Sequence, residues 1–200
     1  KLLGMFRKSY MMFCNKLFGI DDKSVVFLSF GGESYSDNPR AISEKLHEIA
    51  PNFKIIWLFI DPFAKKKVVP GYVTCIRVNS LKSLRVLATS KFWVDNFNKP
   101  LHTYKSKKQI YIQTWHGDRG FKKILHDSTF VSENYKLFDS EHCDLSIAGS
   151  KYGEMQYRSA FKYEGSIMKK GCPRNDILIR NDVKAVATIK KDLNIEINKK

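Results

Sequence analysis

The apolar positions of this 200-residue chain follow two periods that alternate along its length. Residues 1–19 repeat at helical spacing. Leu2, Phe6, Phe13 and Leu17 share one face, joined by Leu3 and Tyr10, with Lys1, Lys8 and Asn15 opposite. The continuous apolar run SVVFLSFGG then predicts a strand buried on both sides and closed by Gly31 and Gly32. SDNPRAISEKLHEIAP reads as a helix with Asn38 as N-cap and Pro39 at its first position. Ala41, Ile42, Leu46 and Ile49 face inward, and Pro51 stops it. Further strands are expected at FKIIWLFID, YVTCIRV, KFWVDN, QIYIQTW, CDLSIAGS and SIMKKG. Helices are expected at SLKSLRVLATS, KYGEMQYRSAF and NDVKAVATIKKDLN, the last capped by Asn181 or Asp182. Beyond QIYIQTW the chain is expected to pass through His116 into a basic helix.

Apolar strands alternating with helices predict an α/β fold with a Rossmann-like, doubly wound parallel sheet. The chain divides into a basic amphipathic helix (1–19), a Rossmann-like domain (20–180), and a closing helix with the start of a linker (181–200). The first helix can dock on its own domain or lie in a membrane interface, and its pattern allows either.

Composition narrows the partners. With 43% apolar residues the chain can bury a core, which excludes disorder. The net charge of +15 favours anionic partners: nucleic acid, anionic lipid or phosphorylated substrates. Cys14, Cys75, Cys143 and Cys172 form no CxxC pair, which argues against a disulfide scaffold or zinc ribbon and for a reducing setting. No zinc-like spacing links His142 and Cys143 to a partner. No apolar run reaches the ~18 residues of a spanning helix.

In doubly wound sheets ligands gather at the carboxyl ends of the strands. Three polar stretches fall there: GGESYSDNPR, TWHGDRG and GCPRND. None is a GxGxxG or a P-loop, so a dinucleotide or ATP site has no motif support. His116 can act as a base near neutral pH, or it can be a histidine held structurally by hydrogen bonds. Gly117 and Gly120 permit close backbone approach, and Arg119, Lys122 and Lys123 can offset phosphate charge. Ser36, Asp37, Asn38, Asp118, Arg174, Asn175 and Asp176 complete the candidate substrate and phosphate contacts. Asn38 and Pro39 also fit plain capping chemistry. His47, His102, His126 and His142 are weaker candidates.

Taken together, YSDNPRAISEKL, QTWHGDRGFKKI and GCPRNDIL resemble, in order, the motifs of the CDP-glycerol glycerophosphotransferase family, the teichoic acid primases and polymerases and related capsule enzymes. The resemblance spans about Val25 to Leu178. It implies the N-terminal, acceptor-side domain of a GT-B fold, with His116 on the family's proposed base. The implied reaction is attack by an acceptor hydroxyl on the β-phosphorus of CDP-glycerol, releasing CMP, without a metal or cofactor. The implied partners are a lipid-linked glycerol phosphate or polyol phosphate acceptor and an anionic membrane surface, at the cytoplasmic face of a bacterial membrane. On this reading a C-terminal nucleotide-binding domain lies outside the chain, which alone should be inactive. Two departures leave the polyol open: Asp118-Arg119-Gly120-Phe121 stands where Thr-Pro-Leu commonly follows TWHG, and Cys172 stands where Tyr is common. The alternatives are a GT-B transferase using a nucleotide sugar and a basic nucleic-acid-binding module. The second lacks an RNP-like motif or zinc finger.

Overall fold

A computed structural model describes residues 2–118, 122–132, 134–180 and 182–195. Helix α1 (Leu2–Phe18) leads into β1 (Asp21–Phe27), a short 3-10 turn (Phe30–Gly32), α2 (Asp37–Ile49), β2 (Lys54–Phe59) and α3 (Pro62–Lys65). Next come β3 (Thr74–Arg77), α4 (Leu81–Thr89), β4 (Ser90–Asp95) and β5 (Ile110–Gln113). The chain closes with α5 (Phe138–His142), β6 (Leu145–Ala148), α6 (Lys151–Ala160), β7 (Ser166–Lys169), a 3-10 segment (Pro173–Leu178) and α7 (Val183–Asp192). The seven strands among the described residues are all parallel, in the order β3-β2-β1-β4-β5-β6-β7.

The order reverses between β1 and β4, and there the loops leaving adjacent strands part to opposite sides. That opens a crevice at the strands' carboxyl ends. Helices cover both faces. On one, α1 and α4 pack through Met11, Cys14, Leu84 and Ala88 onto Val26, Leu58 and Trp93. On the other, Ile42 and Leu46 of α2 lie over Phe27, Ile55, Trp57 and Phe59. A third cluster joins Trp115 to Tyr157, Ala160 and Phe161, so the α6 end of the core reaches the residue before His116.

Four local expectations change. The N-cap of α2 is Ser36, and Asn38 is buried within the first turn. Ile49 is exposed, and Ser43 takes an inward position because its hydroxyl accepts from the Trp57 indole N–H at 3.3 Å. No helix begins at the lysines after His116: Lys122 and Lys123 are exposed coil ahead of a 3-10 turn at Leu125–Asp127.

The fourth concerns α1. It docks on α4 through Met11 and Cys14, and the Asn15 side-chain amide donates to the Ala88 carbonyl at 2.7 Å. The stripe Leu2, Phe6, Phe13 and Leu17 faces solvent, with exposures from 57% to 85%. The docked side carries Tyr10, Met11, Cys14 and Asn15, and the Leu/Phe stripe is left outside. No helix among the described residues is long and apolar enough to cross a membrane. Asp182 caps α7, accepting from the Ala185 N–H; Asn181, the other expected cap, lies outside the described residues.

Candidate functional site

The three polar stretches meet at the crevice. After β5 the backbone turns sharply: Trp115 has φ +47° and Gly117 φ +120°. The first is a conformation that costs an L-residue about 1–2 kcal/mol. The second is open to glycine almost alone. A Cβ on Gly117 would lie 2.9 Å from Arg174 Nη2, so its bare backbone makes room for the Arg174 guanidinium.

His116 sits in this turn, partly exposed, with the Trp115 ring 4.1 Å and the Phe30 ring 5.5 Å from its own. Its Nδ1 lies 3.1 Å from the Asn96 carbonyl oxygen at the end of β4. A carbonyl only accepts, so Nδ1 carries the proton, and in the neutral ring Nε2 holds the lone pair. This tautomer is the one a base acting through Nε2 requires.

The Asn96 side chain ties the histidine's support to the β1 loop. Its Oδ1 accepts from the Phe30 N–H at 2.8 Å, and its Nδ2 donates to Asp37 Oδ2 at 2.7 Å. The other Asp37 oxygen pairs with Arg174 Nη1 at 2.6 Å. Asp37 itself has φ +62°, tolerated by Asp better than by most side chains, and its carboxylate is almost wholly buried.

Asn38 clamps the two distant stretches together. Its Nδ2 donates to the carbonyls of Thr114 (3.4 Å) and Trp115 (3.2 Å), and its Oδ1 accepts from the Arg174 N–H at 3.1 Å. One 1%-exposed amide therefore fixes the His116 turn and the start of the Pro173 segment.

Several of the expected ligand contacts are bonded within the protein. Asn38 is enclosed and serves as a clamp. Asp37 pairs with Arg174 at the edge of the groove. Asp118 is also engaged: its carboxylate accepts from the Gly149 N–H at 3.1 Å and from the Ser150 hydroxyl at the start of α6. It fills the position an anion would take at that helix N-terminus. The missing side chain of Gly153 makes this possible, because a Cβ there would meet Asp118 Oδ1 at 2.0 Å. The sequence carried a signal for this in GSKYG, where Ser150 caps the Gly153 N–H.

Ser36, bonded to the Ser34 hydroxyl at 2.6 Å, lines a groove of about 330 Å³ with Asp37, Arg40, Arg174, Asp176 and Arg180. Arg174, Asn175 and Asp176 are solvent-facing, as are Lys122 and Lys123. Arg119 and Gly120 lie outside the described residues. Burial raises the Cys172 thiol pKa, partly opposed by Arg174, which keeps the sulfur protonated and weakly nucleophilic. No group of three potential metal-ligating side chains clusters among the described residues.

Sequence reasoning missed Asn96, Gln113 and Asp139, which support the turn from below. The Asp139 carboxylate accepts from Gln113 Nε2 at 2.6 Å and from the Lys99 N–H at 3.2 Å, and the Lys99 ammonium pairs with Asp95. Burial pushes the Asp139 pKa up to about 6, opposed by its bonds to Lys99. Buried polar residues at strand ends were the available signal.

The chain is 36% identical over 193 residues to a teichoic acid poly(glycerol phosphate) polymerase of Staphylococcus epidermidis, covering 90% of this chain and 26% of that protein. It is 35% identical to a polymerase of the same description from Bacillus spizizenii, covering 90% of this chain and 48% of that one. Among solved structures, a variant of the wall teichoic acid polymerase TagF superposes with a TM-score of 0.83 at 32% identity, over 97% of this chain and 50% of the other. The chain thus spans half or less of the length of these relatives. Residues 9–200 match the family model described as CDP-Glycerol:Poly(glycerophosphate) glycerophosphotransferase. That match takes in all seven described strands, the crevice and the TWHG turn, and the chain belongs to this glycerophosphotransferase family.

Proposed function

We propose that this chain forms the acceptor-side half of a CDP-glycerol-dependent transferase. The enzyme would pass glycerol phosphate to a lipid-linked glycerol phosphate or polyol phosphate acceptor in teichoic acid synthesis. The observation that carries the reading is the contact from His116 Nδ1 to the Asn96 carbonyl, which supports a proton on Nδ1 and a lone pair on Nε2 at the crevice.

In the proposed step the acceptor hydroxyl attacks the β-phosphorus of CDP-glycerol. Its oxygen forms the new P–O bond while its proton passes to His116 Nε2. The bond from that phosphorus to the bridging oxygen breaks, and CMP leaves with the electron pair. Arg174, steadied by Asp37, is placed to offset phosphate charge, with Lys122, Lys123 and Arg119 as further cations. Ser36 and Asn175 at the crevice rim are candidate acceptor contacts.

The exposed apolar stripe on α1, with Lys16 beside it in the last turn, suits an anionic membrane surface on which a lipid-linked acceptor is held. A donor-binding wall on a second domain of the full-length enzyme completes this reading.

The test is CMP release by the full-length protein from CDP-glycerol with a lipid-linked glycerol phosphate acceptor, wild type beside His116→Ala. Loss of at least 100-fold in the variant, with the fold intact by circular dichroism, is expected for removal of a general base. Wild-type turnover in the variant moves the base elsewhere. Turnover with a nucleotide sugar in place of CDP-glycerol replaces the donor.

A further inference from the structure

The Trp115 conformation has to be held against its own strain, and the holder reaches it from an unexpected quarter. The Trp115 N–H donates to Gln113 Oε1 at 2.9 Å. The Gln113 amide could equally present its NH₂ to that site. What sets its orientation is the other end of the group: Nε2 faces Asp139 Oδ2 at 2.6 Å, the Tyr111 hydroxyl at 2.9 Å and the Phe97 carbonyl at 3.2 Å. A carboxylate and a carbonyl only accept, so the NH₂ must point at them, and the carbonyl oxygen is left for Trp115.

Asp139 lies in the first turn of α5, 23 residues beyond His116 and only 3% exposed. It touches no part of the crevice described above. An ionised carboxylate is costly at such a depth, and the pKa of about 6 records that cost. Packing alone would be served as well by an uncharged side chain. The Lys99 charge favours the ionised form from a distance, but its ammonium bonds to Asp95, and Asp139 itself accepts only from the Lys99 backbone N–H. What a carboxylate offers here, and an amide does not, is acceptance from two donors at once: the Lys99 N–H on one oxygen and the Gln113 NH₂ on the other.

We propose that Asp139 is a positioning residue for the transfer reaction, acting through Gln113 to hold the Trp115 N–H and so to aim His116. The proposal rests on the reading of His116 as the base. The chain of bonds runs Asp139–Gln113–Trp115, and one residue later comes the imidazole held by Asn96. Replacing the carboxylate by an amide puts an NH₂ against either Lys99 or Gln113. If Gln113 flips in response, its own NH₂ meets the Trp115 N–H, and the turn loses its tether. Displacement of a reacting group by about 1 Å costs up to about 100-fold in rate.

The experiment measures kcat and KM for CDP-glycerol in the full-length enzyme, with a thermal midpoint for each variant. Asp139→Asn is expected to lower kcat about 10–100-fold per folded molecule while KM stays within about twofold. Gln113→Met, which cuts the same link from the other side, should lower kcat by a similar factor. It also supplies the answer if Asp139→Asn folds poorly. The paired exchange Asp139→Asn with Gln113→Glu restores a donor facing an acceptor at each contact toward Trp115 and should recover part of the loss.

A kcat within twofold of wild type in both single variants overturns the proposal. So does a loss that vanishes once activity is normalised to the folded fraction. His116→Ala is measured alongside. An active His116→Ala overturns the base reading, whereas an inactive one beside a fully active Asp139→Asn overturns the positioning role alone.

Discussion

Removing the Asn38 clamp tests whether the crevice is held together as the contacts imply. Asn38→Ala deletes one side chain that serves three backbone groups on two segments far apart in sequence. The Trp115 carbonyl keeps its bond from the Thr114 hydroxyl at 3.0 Å, so the main losses fall on the Arg174 N–H and the Thr114 carbonyl. Each group left unpaired costs about 1–3 kcal/mol, which gives about 2–4 kcal/mol in all once the weaker 3.4 Å bond is discounted. For a chain of this size that is a fall of about 5–15 °C in thermal midpoint. Asn38→Asp sharpens the test. It keeps an acceptor for Arg174 but sets a buried carboxylate oxygen against two carbonyl oxygens. The folded-state pKa of that new carboxyl must rise above its unfolded value. Its contribution is therefore fully present below the unfolded value and lost as pH rises through the folded one. Urea unfolding of the chain at pH 5 and pH 8 measures both variants. Asn38→Asp should be the less stable at pH 8 and should close the gap at pH 5. An Asn38→Ala variant within about 0.5 kcal/mol of wild type would refute the clamp.

Three further outcomes follow from the same contacts. Gly117→Ala places a methyl 2.9 Å from Arg174 Nη2 at φ +120°; a destabilisation of about 1–3 kcal/mol is expected in urea unfolding, with turnover of the full-length enzyme falling as Arg174 is displaced. Asp139, raised from 3.8 to about 6 by burial, contributes stability below its unfolded pKa that is lost as pH rises to about 6. The loss is on the order of 2–4 kcal/mol between pH 4 and pH 6, and Asp139→Asn should flatten that part of the pH–stability curve. On α1, Phe6→Ser with Phe13→Ser should leave the urea midpoint nearly unchanged, because both rings are exposed, yet weaken binding to vesicles containing anionic lipid. Cys14→Asp on the docked face of the same helix should cost several kcal/mol, and equal stability of the two variants would show that the helix is docked the other way.

The sequence alone indicated the class of fold and the edge of the sheet at which three polar stretches would gather. Unbroken apolar runs such as VVFL and IIWLF have the pattern of strands covered on both sides, and the amphipathic segments between them leave a parallel sheet as the way to bury both. Because strand ends in such a sheet collect at one edge, TWHG, SDNPR and GCPRND could be assigned to one edge from order alone, and the family resemblance followed from the same residues. Periodicity could not say which side of α1 would dock, since close approach to α4 depends on the shape of a neighbour about 70 residues away. Nor could it separate Asp118, spent on the α6 N-terminus, from Arg174, held at the crevice. Both are charged residues in glycine-containing loops, and only the positions of Gly149, Gly153 and Asp37 distinguish them. The orientation of His116 was decided last, by donors and acceptors on Asn96, Gln113 and Asp139. Hydrogen bonds are directional and join residues by position in space, and local sequence does not record that.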